Sequence, residues 1–454
     1  MLFRMKSSTR IDFALVLTLF LPVFWEQLAS VLLSVISSAI SSNIDPAYLN
    51  ATSLVGSAVG PLTTLYGSIA TGSAILMSQY MGAGDNARAR KLFATSNLMG
   101  FTVSFLISAF IIVFRTPVLK LLYPNMSEGF LINANIYAIF LAITVPMSFF
   151  RTNIIGILRG CLNTKGPLYI SLFGGVADIA LRYLLMVKLN LGIVGLGLAS
   201  VLSNMFFTAV SLCILNKVGV FKGCFKDSFK LYDRSVALET VKLGGVVCLQ
   251  SFAVAICGLI LSQIFAKMGD TEMSAFNIAS SAESLVNLAP LAMAYVVQIL
   301  AGKYMGAGEE KHAYTVSVLL TVISTVMHVV ISLVALPLAN TLVSFYTDDK
   351  TLIEISAIAL KVGLIVSALF WSAGNAFSAG IRGAGNVKYP AMVLILSSWL
   401  YKIPATWLVC IKLDYGAAGR VFVNSFEQAV FALFFIAFGI VKFRKIKRKN
   451  ANEN

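Results

Sequence analysis

Apolar residues in this chain come in long runs separated by short polar segments. Runs of about twenty or more have the length an α-helix needs to cross a hydrocarbon layer roughly 30 Å thick. The pattern predicts helices over 13–40, 50–80, 91–114, 131–158, 168–187 and 192–216. A second set follows over 237–265, 272–303, 312–343, 351–380, 389–412 and 416–442. The first run follows Arg4, Lys6 and Arg10 and is longer than the apolar core of a cleavable signal peptide, so it reads as a retained helix. The basic stretch between the sets, with Gly223, reads as a cytoplasmic linker. The expected organisation is a six-helix bundle over 1–216, a linker over 217–236, a second bundle over 237–442 and a basic cytoplasmic tail over 443–454.

The two sets are related. Tyr80-Met-Gly-Ala-Gly-Asp85 of the first recurs as Tyr304-Met-Gly-Ala-Gly-Glu309 in the second. Arg159-Gly-Cys-Leu-Asn163-Thr-Lys165-Gly-Pro167 recurs as Arg382-Gly-Ala-Gly-Asn386-Val-Lys388-Tyr-Pro390, and Gly192-Ile-Val-Gly195 is echoed by Gly416-Ala-Ala-Gly419. The motifs keep their order and a nearly constant offset, which indicates an internal duplication. Each repeat has an even number of spans, so both enter the membrane from the same side, as in parallel-repeat transporters. The fold class expected is all-α integral membrane, with about 12 transmembrane helices in two pseudo-symmetric six-helix bundles around a central cleft.

Composition agrees with a bilayer as solvent: 58% of residues are hydrophobic and 12% charged, against roughly 25% charged in soluble domains. A net charge of +15 would suggest nucleic acid in a soluble protein. Here its placement points to orientation instead. With both termini inside, the cytoplasmic segments carry Arg88, Arg90, Lys91, Lys217, Lys222, Lys226, Lys230, Arg234, Lys242 and the tail Lys442, Arg444, Lys445, Lys447, Arg448 and Lys449. The outer loops carry only a few, such as Arg115, Lys120, Lys188, Lys267, Lys350 and Lys412, which the positive-inside rule reads as cytoplasmic termini. The expected surroundings are membrane lipids, with no nucleic-acid partner. The six cysteines show no metal spacing, and no nucleophile motif or soluble catalytic domain stands out. Neither an enzyme, nor a cofactor, nor a metal site is expected.

With these motifs laid out, the chain resembles the multidrug and toxic compound extrusion (MATE) family. The resemblance rests on the six-plus-six division, the Gly-Ala-Gly loops after helices two and eight, the Arg-Gly-x-x-Asn-x-Lys loops after helices four and ten, and Lys402-Ile-Pro404 in helix eleven. It implies antiport: H⁺ or Na⁺ moves inward while organic, often cationic, compounds move outward across the plasma membrane. Many members carry an acid ten positions after a Gln in helix one; counting from Gln27 reaches Ser37. Helix ten shows Trp371 and Asn375 where some members carry an Asp. Other acids must therefore serve. A flippase for lipid-linked saccharides is the alternative within transport, and it would line its cavity with several cations.

Charges inside a membrane are costly and default to functional candidates. Those within predicted spans are Glu26, Asp178, Arg182, Glu283, Lys361 and Glu427. Asp178 and Arg182 are four apart, so they share a helix face and can form a structural ion pair. Glu283, among small residues, is the preferred coupling acid, followed by Asp178 and Glu26. Its competing role is as a partner for Lys361. Glu427 lies in helix twelve, expected at the periphery. Trp25, Gln27, Ser37, Phe276, Trp371 and Asn375 are candidates for the substrate cleft, although for any one of the aromatics lipid or core packing is the stronger account. The Arg159 and Arg382 loops read as cytoplasmic helix caps. Pro22, Pro61, Pro146, Pro290 and Pro404 are expected to permit bends.

Overall fold

The computed structural model describes residues 12–44, 46–122, 128–222, 224 and 227–453. Arg4, Lys6, Arg10, Gly223, Lys226 and the side chains of Lys445, Lys447, Arg448 and Lys449 lie outside the described residues. The elements are helical throughout: α1 (Phe13–Ile44), α2 (Pro46–Gly82), α3 (Asn86–Leu122), α4 (Glu128–Gly160), α5 (Lys165–Arg182), α6 (Gly192–Lys217) and α7 (Arg234–Ala266). There follow α8 (Asp270–Val286), α9 (Leu288–Gly306), α10 (Glu310–Ala335), α11 (Ala339–Ser344), α12 (Lys350–Gly383), α13 (Lys388–Ser397), α14 (Ile403–Thr406) and α15 (Gly416–Glu453).

The single helix predicted over 272–303 is two, broken at Asn287. Pro290 is the cause: its ring excludes the carbonyl four residues back, and Val286 is where α8 ends. Likewise 389–412 is interrupted by π-helical turns at Ser398–Lys402 and Trp407–Lys412 flanking Pro404. Pro22, Pro61 and Pro146 lie inside unbroken helices. The span over 312–343 stops at Ala335, with α11 as a separate short helix. The basic tail is a continuation of α15 rather than a separate segment.

By length and composition, eleven stretches among the described residues are apolar enough to cross a membrane. The twelfth expected span, α2, is too polar to count among them. Its hydroxyls are satisfied locally: Ser57, Thr63, Thr64, Ser68, Thr71 and Ser73 each donate to a carbonyl three or four residues back. Those donors are therefore met before lipid can penalise them. Outward faces of other helices carry large apolar side chains such as Leu106 and Val113, as a lipid-facing surface requires.

Two compact units emerge. Among the described residues, one comprises Leu17–Cys248 and the other comprises those from Leu249 onward together with Asp12 to Val16. In the first, α4 packs against α2, α3 and α6. In the second, α12 holds the same central place, against α8, α9, α10 and α15. The stretch expected to link the bundles is part of the first unit, and the boundary falls inside α7. Phe221 is fully buried with its ring 5.4 Å from that of Phe93. Lys91 Nζ lies 2.9 Å from Asp233 Oδ2, and Tyr80 donates to Glu239 at the start of α7.

The duplication is written in the backbone as well. The π-helical turn Tyr183–Lys188 recurs as Trp407–Lys412, at the offset of the Gly-Ala-Gly motifs. Left-handed residues recur at that same offset: Gly84 and Gly308, and Asn190 and Asp414. The Gly-Ala-Gly loops are therefore helix-ending turns whose final glycine supplies a positive φ.

Candidate functional site

Within the first unit α1, α4, α5 and α6 enclose a cavity of about 550 Å³. Its shape depends on Gly174 and Gly175 of α5. A Cβ on Gly174 would overlap the Phe207 ring of α6, and one on Gly175 would overlap the Leu33 side chain of α1. Only glycines let both neighbours approach. α1 buries the apolar Leu19 and Val23 on its inner face. Polar side chains add further ties between it and the unit.

Asp178 is the hub. Its Oδ2 accepts from Ser37 Oγ of α1 at 2.8 Å and lies 2.8 Å from Arg182 Nε, while its Oδ1 accepts from Ser203 Oγ of α6 at 2.9 Å. Ser41 of α1 accepts from Arg182 Nη1 at 3.4 Å. The expected Asp178–Arg182 pairing along α5 is present. Ser37, the residue at the position of the missing helix-one acid, is held against the acid that remains.

Glu26 is buried, with Arg159 Nη2 2.8 Å from its Oε1. The sequence reading places Arg159 in a loop that caps α4. It lies instead in the last turn of α4, which extends to Gly160, and reaches the otherwise uncompensated Glu26. Arg151 also lines the cavity, its guanidinium 4.4 Å from the centroid of the Phe207 ring. Gln27 and Trp25 are not among the lining residues, and Trp25 is 55% exposed.

The remaining candidates belong to the second unit. Glu283 of α8 is buried with Ser425 Oγ at 3.5 Å, and Gly363 of α12 packs against its carboxylate. The expected pairing of Glu283 with Lys361 is absent: among the described residues Lys361 makes no ion pair. Helical geometry explains this, because Gly363 faces Glu283 and a residue two positions earlier points about 200° away. The basic partner in this unit is Lys402, whose Nζ lies 2.8 Å from Glu427 Oε2, with Ser398 donating to Oε1 at 3.0 Å. Glu427 is thus buried rather than peripheral. The repeat could have revealed the pair, since Lys402 and Glu427 occupy the positions that correspond, at the repeat offset, to Asp178 and Ser203. Trp371 packs edge-on against His328, and Asn375 donates to Gln428 at 2.9 Å. Phe276 lies under Arg420, a buried arginine that sequence reading missed; it also donates to Thr406 at 2.8 Å.

A family model described as MatE matches twice, over residues 22–184 and 247–408. The chain belongs to the MatE family. One match per half restates the duplication at the level of the family. MATE proteins are transporters, and this one is a multi-pass membrane member of a multidrug-efflux family. It is similar to YisQ, an uncharacterised transporter of Bacillus subtilis, at 21% identity over 369 residues and 79% of each chain. A probable multidrug resistance protein NorM of Thermotoga maritima is 21% identical over 77% of this chain and 75% of its own. Multidrug and toxin extrusion protein 1 of Oryctolagus cuniculus is 22% identical over 95% of this chain and 76% of its own. Among solved structures, a transporter of the MOP superfamily from Pyrococcus furiosus, described as having a binding pocket of reversed polarity, superposes with a TM-score of 0.84. It is 17% identical and covers 98% of this chain and 100% of its own. An outward-facing MATE transporter matches with a TM-score of 0.84 at 17% identity, over 95% of this chain and 96% of its own.

Proposed function

We propose that this MATE transporter is an antiporter of the plasma membrane, with both termini cytoplasmic, that exports small organic compounds in exchange for inward H⁺ or Na⁺. The observation that carries the reading is the Asp178 hub. One carboxylate in an open cavity ties α1, α5 and α6 together through Ser37, Arg182 and Ser203. A proton or sodium ion taken up at Asp178 competes with those contacts. Such competition loosens the tie between α1 and the α5–α6 pair, and so couples ion binding to a change of access. Glu283 is the second coupling candidate, a buried carboxylate bonded to Ser425 with no basic partner among the described residues. Glu26 is the third candidate: its carboxylate meets Arg159 of α4 and no hydroxyl among the described residues, so it joins two helices where Asp178 joins three. The flippase alternative is not supported by the cations available: Arg159, Arg182 and Lys402 are each paired with a carboxylate, which leaves Arg151 alone in the cavity of the first unit, short of the several cations a pyrophosphate needs.

The test uses proteoliposomes with imposed pH or sodium gradients and a panel of neutral, cationic and anionic dyes. Asp178→Asn lowers gradient-driven movement about tenfold or more, and Glu283→Gln lowers it several-fold, about 1 kcal/mol in coupling. Wild-type coupling in both variants would overturn the assignment.

A further inference from the structure

The cavity of the first unit holds three arginines and two carboxylates. Four of these charges cancel in pairs: Arg159 with Glu26 and Arg182 with Asp178, each at 2.8 Å. Arg151 is left over. Among the described residues no carboxylate lies within 4.0 Å of it. Its guanidinium carbon lies 4.4 Å from the centroid of the Phe207 ring, a contact with the ring's π-system that consumes none of its N–H hydrogen bonds. Phe207 is fixed in turn by its close approach to Gly174. The neighbouring wall offers hydroxyl and amide groups from Thr152, Ser171, Ser200 and Asn204.

Asp178 attracts Arg151 from beyond ion-pair distance but is already paired with Arg182, and a guanidinium in a membrane-embedded cavity without a carboxylate of its own is costly until a counter-charge arrives. An organic cation, too large to insert between a carboxylate and its arginine as a proton or sodium ion can, would find both carboxylates engaged and a third arginine repelling it. We propose that this cavity takes an organic anion, whose single carboxylate, sulfonate or phosphate monoester is held by Arg151 while its flat apolar part lies along Leu33 and Ile155. The volume suits a drug-sized molecule, and a fork of donors binds one planar or tetrahedral anion bidentately. The inference rests on the export reading and names the substrate class of that same cavity. The same anion chemistry could come from a soluble metabolite or a lysolipid headgroup.

Binding to the purified full-length protein in non-ionic detergent, by equilibrium dialysis, tests it with three probes of one shape: 2-naphthoate, 2-naphthamide and 2-naphthamidine. The anion binds about tenfold or more tightly than the amide, and the amidine most weakly, as one charge-assisted contact implies. Arg151→Gln reduces naphthoate to the level of the amide, and Arg151→Lys restores part of the difference. Equal binding of naphthoate and naphthamide by the unaltered protein overturns the proposal whether or not any variant folds. So does unchanged naphthoate affinity in a folded Arg151→Gln protein. Comparing 1-naphthyl phosphate with a short-chain lysophosphatidic acid separates the sources: Arg151-dependent preference for the first supports a soluble anion, for the second a lipid headgroup. Naphthoate bound through Arg151 but not moved in proteoliposomes would overturn the export reading and leave the site standing. Movement of cationic dyes with no anion binding would do the reverse.

Discussion

At the scale of single residues, the cavity is governed by which charges find partners. Glu26 and Arg159 are 133 positions apart and meet at 2.8 Å. Removing one member of a buried pair strands the other, which costs roughly 3 to 5 kcal/mol. Glu26→Gln is therefore expected to destabilise the protein by about 3 kcal/mol, whereas Glu26→Gln with Arg159→Met recovers a good part of that loss. Denaturation in detergent reads both; a double variant no more stable than the single one would rule out the pair as the cause. Asp178 and Arg182 were legible in sequence, because spacing of four residues on a helix is enough to bring side chains together. The Ser37 contact was not, since it joins helices 141 positions apart. Lys361 misled for a related reason: hydropathy gives depth in the membrane but not the direction a side chain takes around its helix.

At the scale of elements, small residues and breaks decide how helices meet. Gly174 lets Phe207 sit against α5, and a larger residue must displace that ring. Gly174→Val is expected to cost about 1 to 3 kcal/mol of stability through overpacking. Thermal melting of the variant checks it, and an unchanged midpoint would mean that the ring moves freely. The segment before α7 is clamped by Lys91 and Asp233. Hydrogen bonds from Ser235, and then the Lys91 ammonium, hold the Asp233 carboxyl well below the usual carboxylate range. A carboxyl depressed in the folded state lends stability above its unfolded value, near 3.9, and loses it only as pH falls toward the folded value. Over about pH 5 to 8 the clamp is thus expected to be insensitive to pH. Asp233→Asn exposes Lys222 and Lys230 to trypsin equally at either end of that window. A wild-type cleavage rate that rises at the acid end, and does so only with Asp233 present, would contradict this.

At the scale of the whole molecule, duplication organises the protein. Paired motifs, paired π-helical turns and two matches of one family model repeat at nearly the same interval. The two copies have diverged in charge: the Asp178–Ser203 contact of the first unit is a Lys402–Glu427 ion pair in the second. The distribution of Lys and Arg carries the topology proposal. In a background with the native cysteines replaced, Asn190→Cys and Asp414→Cys should label from outside the cell. Ala87→Cys and Lys230→Cys should label only from inside, and the opposite pattern would reverse the orientation.

The sequence by itself determined the helical, membrane-spanning character of the chain, the approximate limits of most spans and the duplication, because hydropathy and repeat spacing are properties of neighbours along one chain. It also revealed the α5 ion pair, set by helical periodicity. Only tertiary structure decided that Ser37 serves Asp178, that Arg159 reaches Glu26, that Lys402 rather than Lys361 finds an acid, and that Arg151 is left over the Phe207 ring without a carboxylate. Each of these joins side chains from different helices. Their meeting depends on how helices rotate and approach one another, which small residues such as Gly174 and Gly363 permit and which no pattern along a single helix encodes.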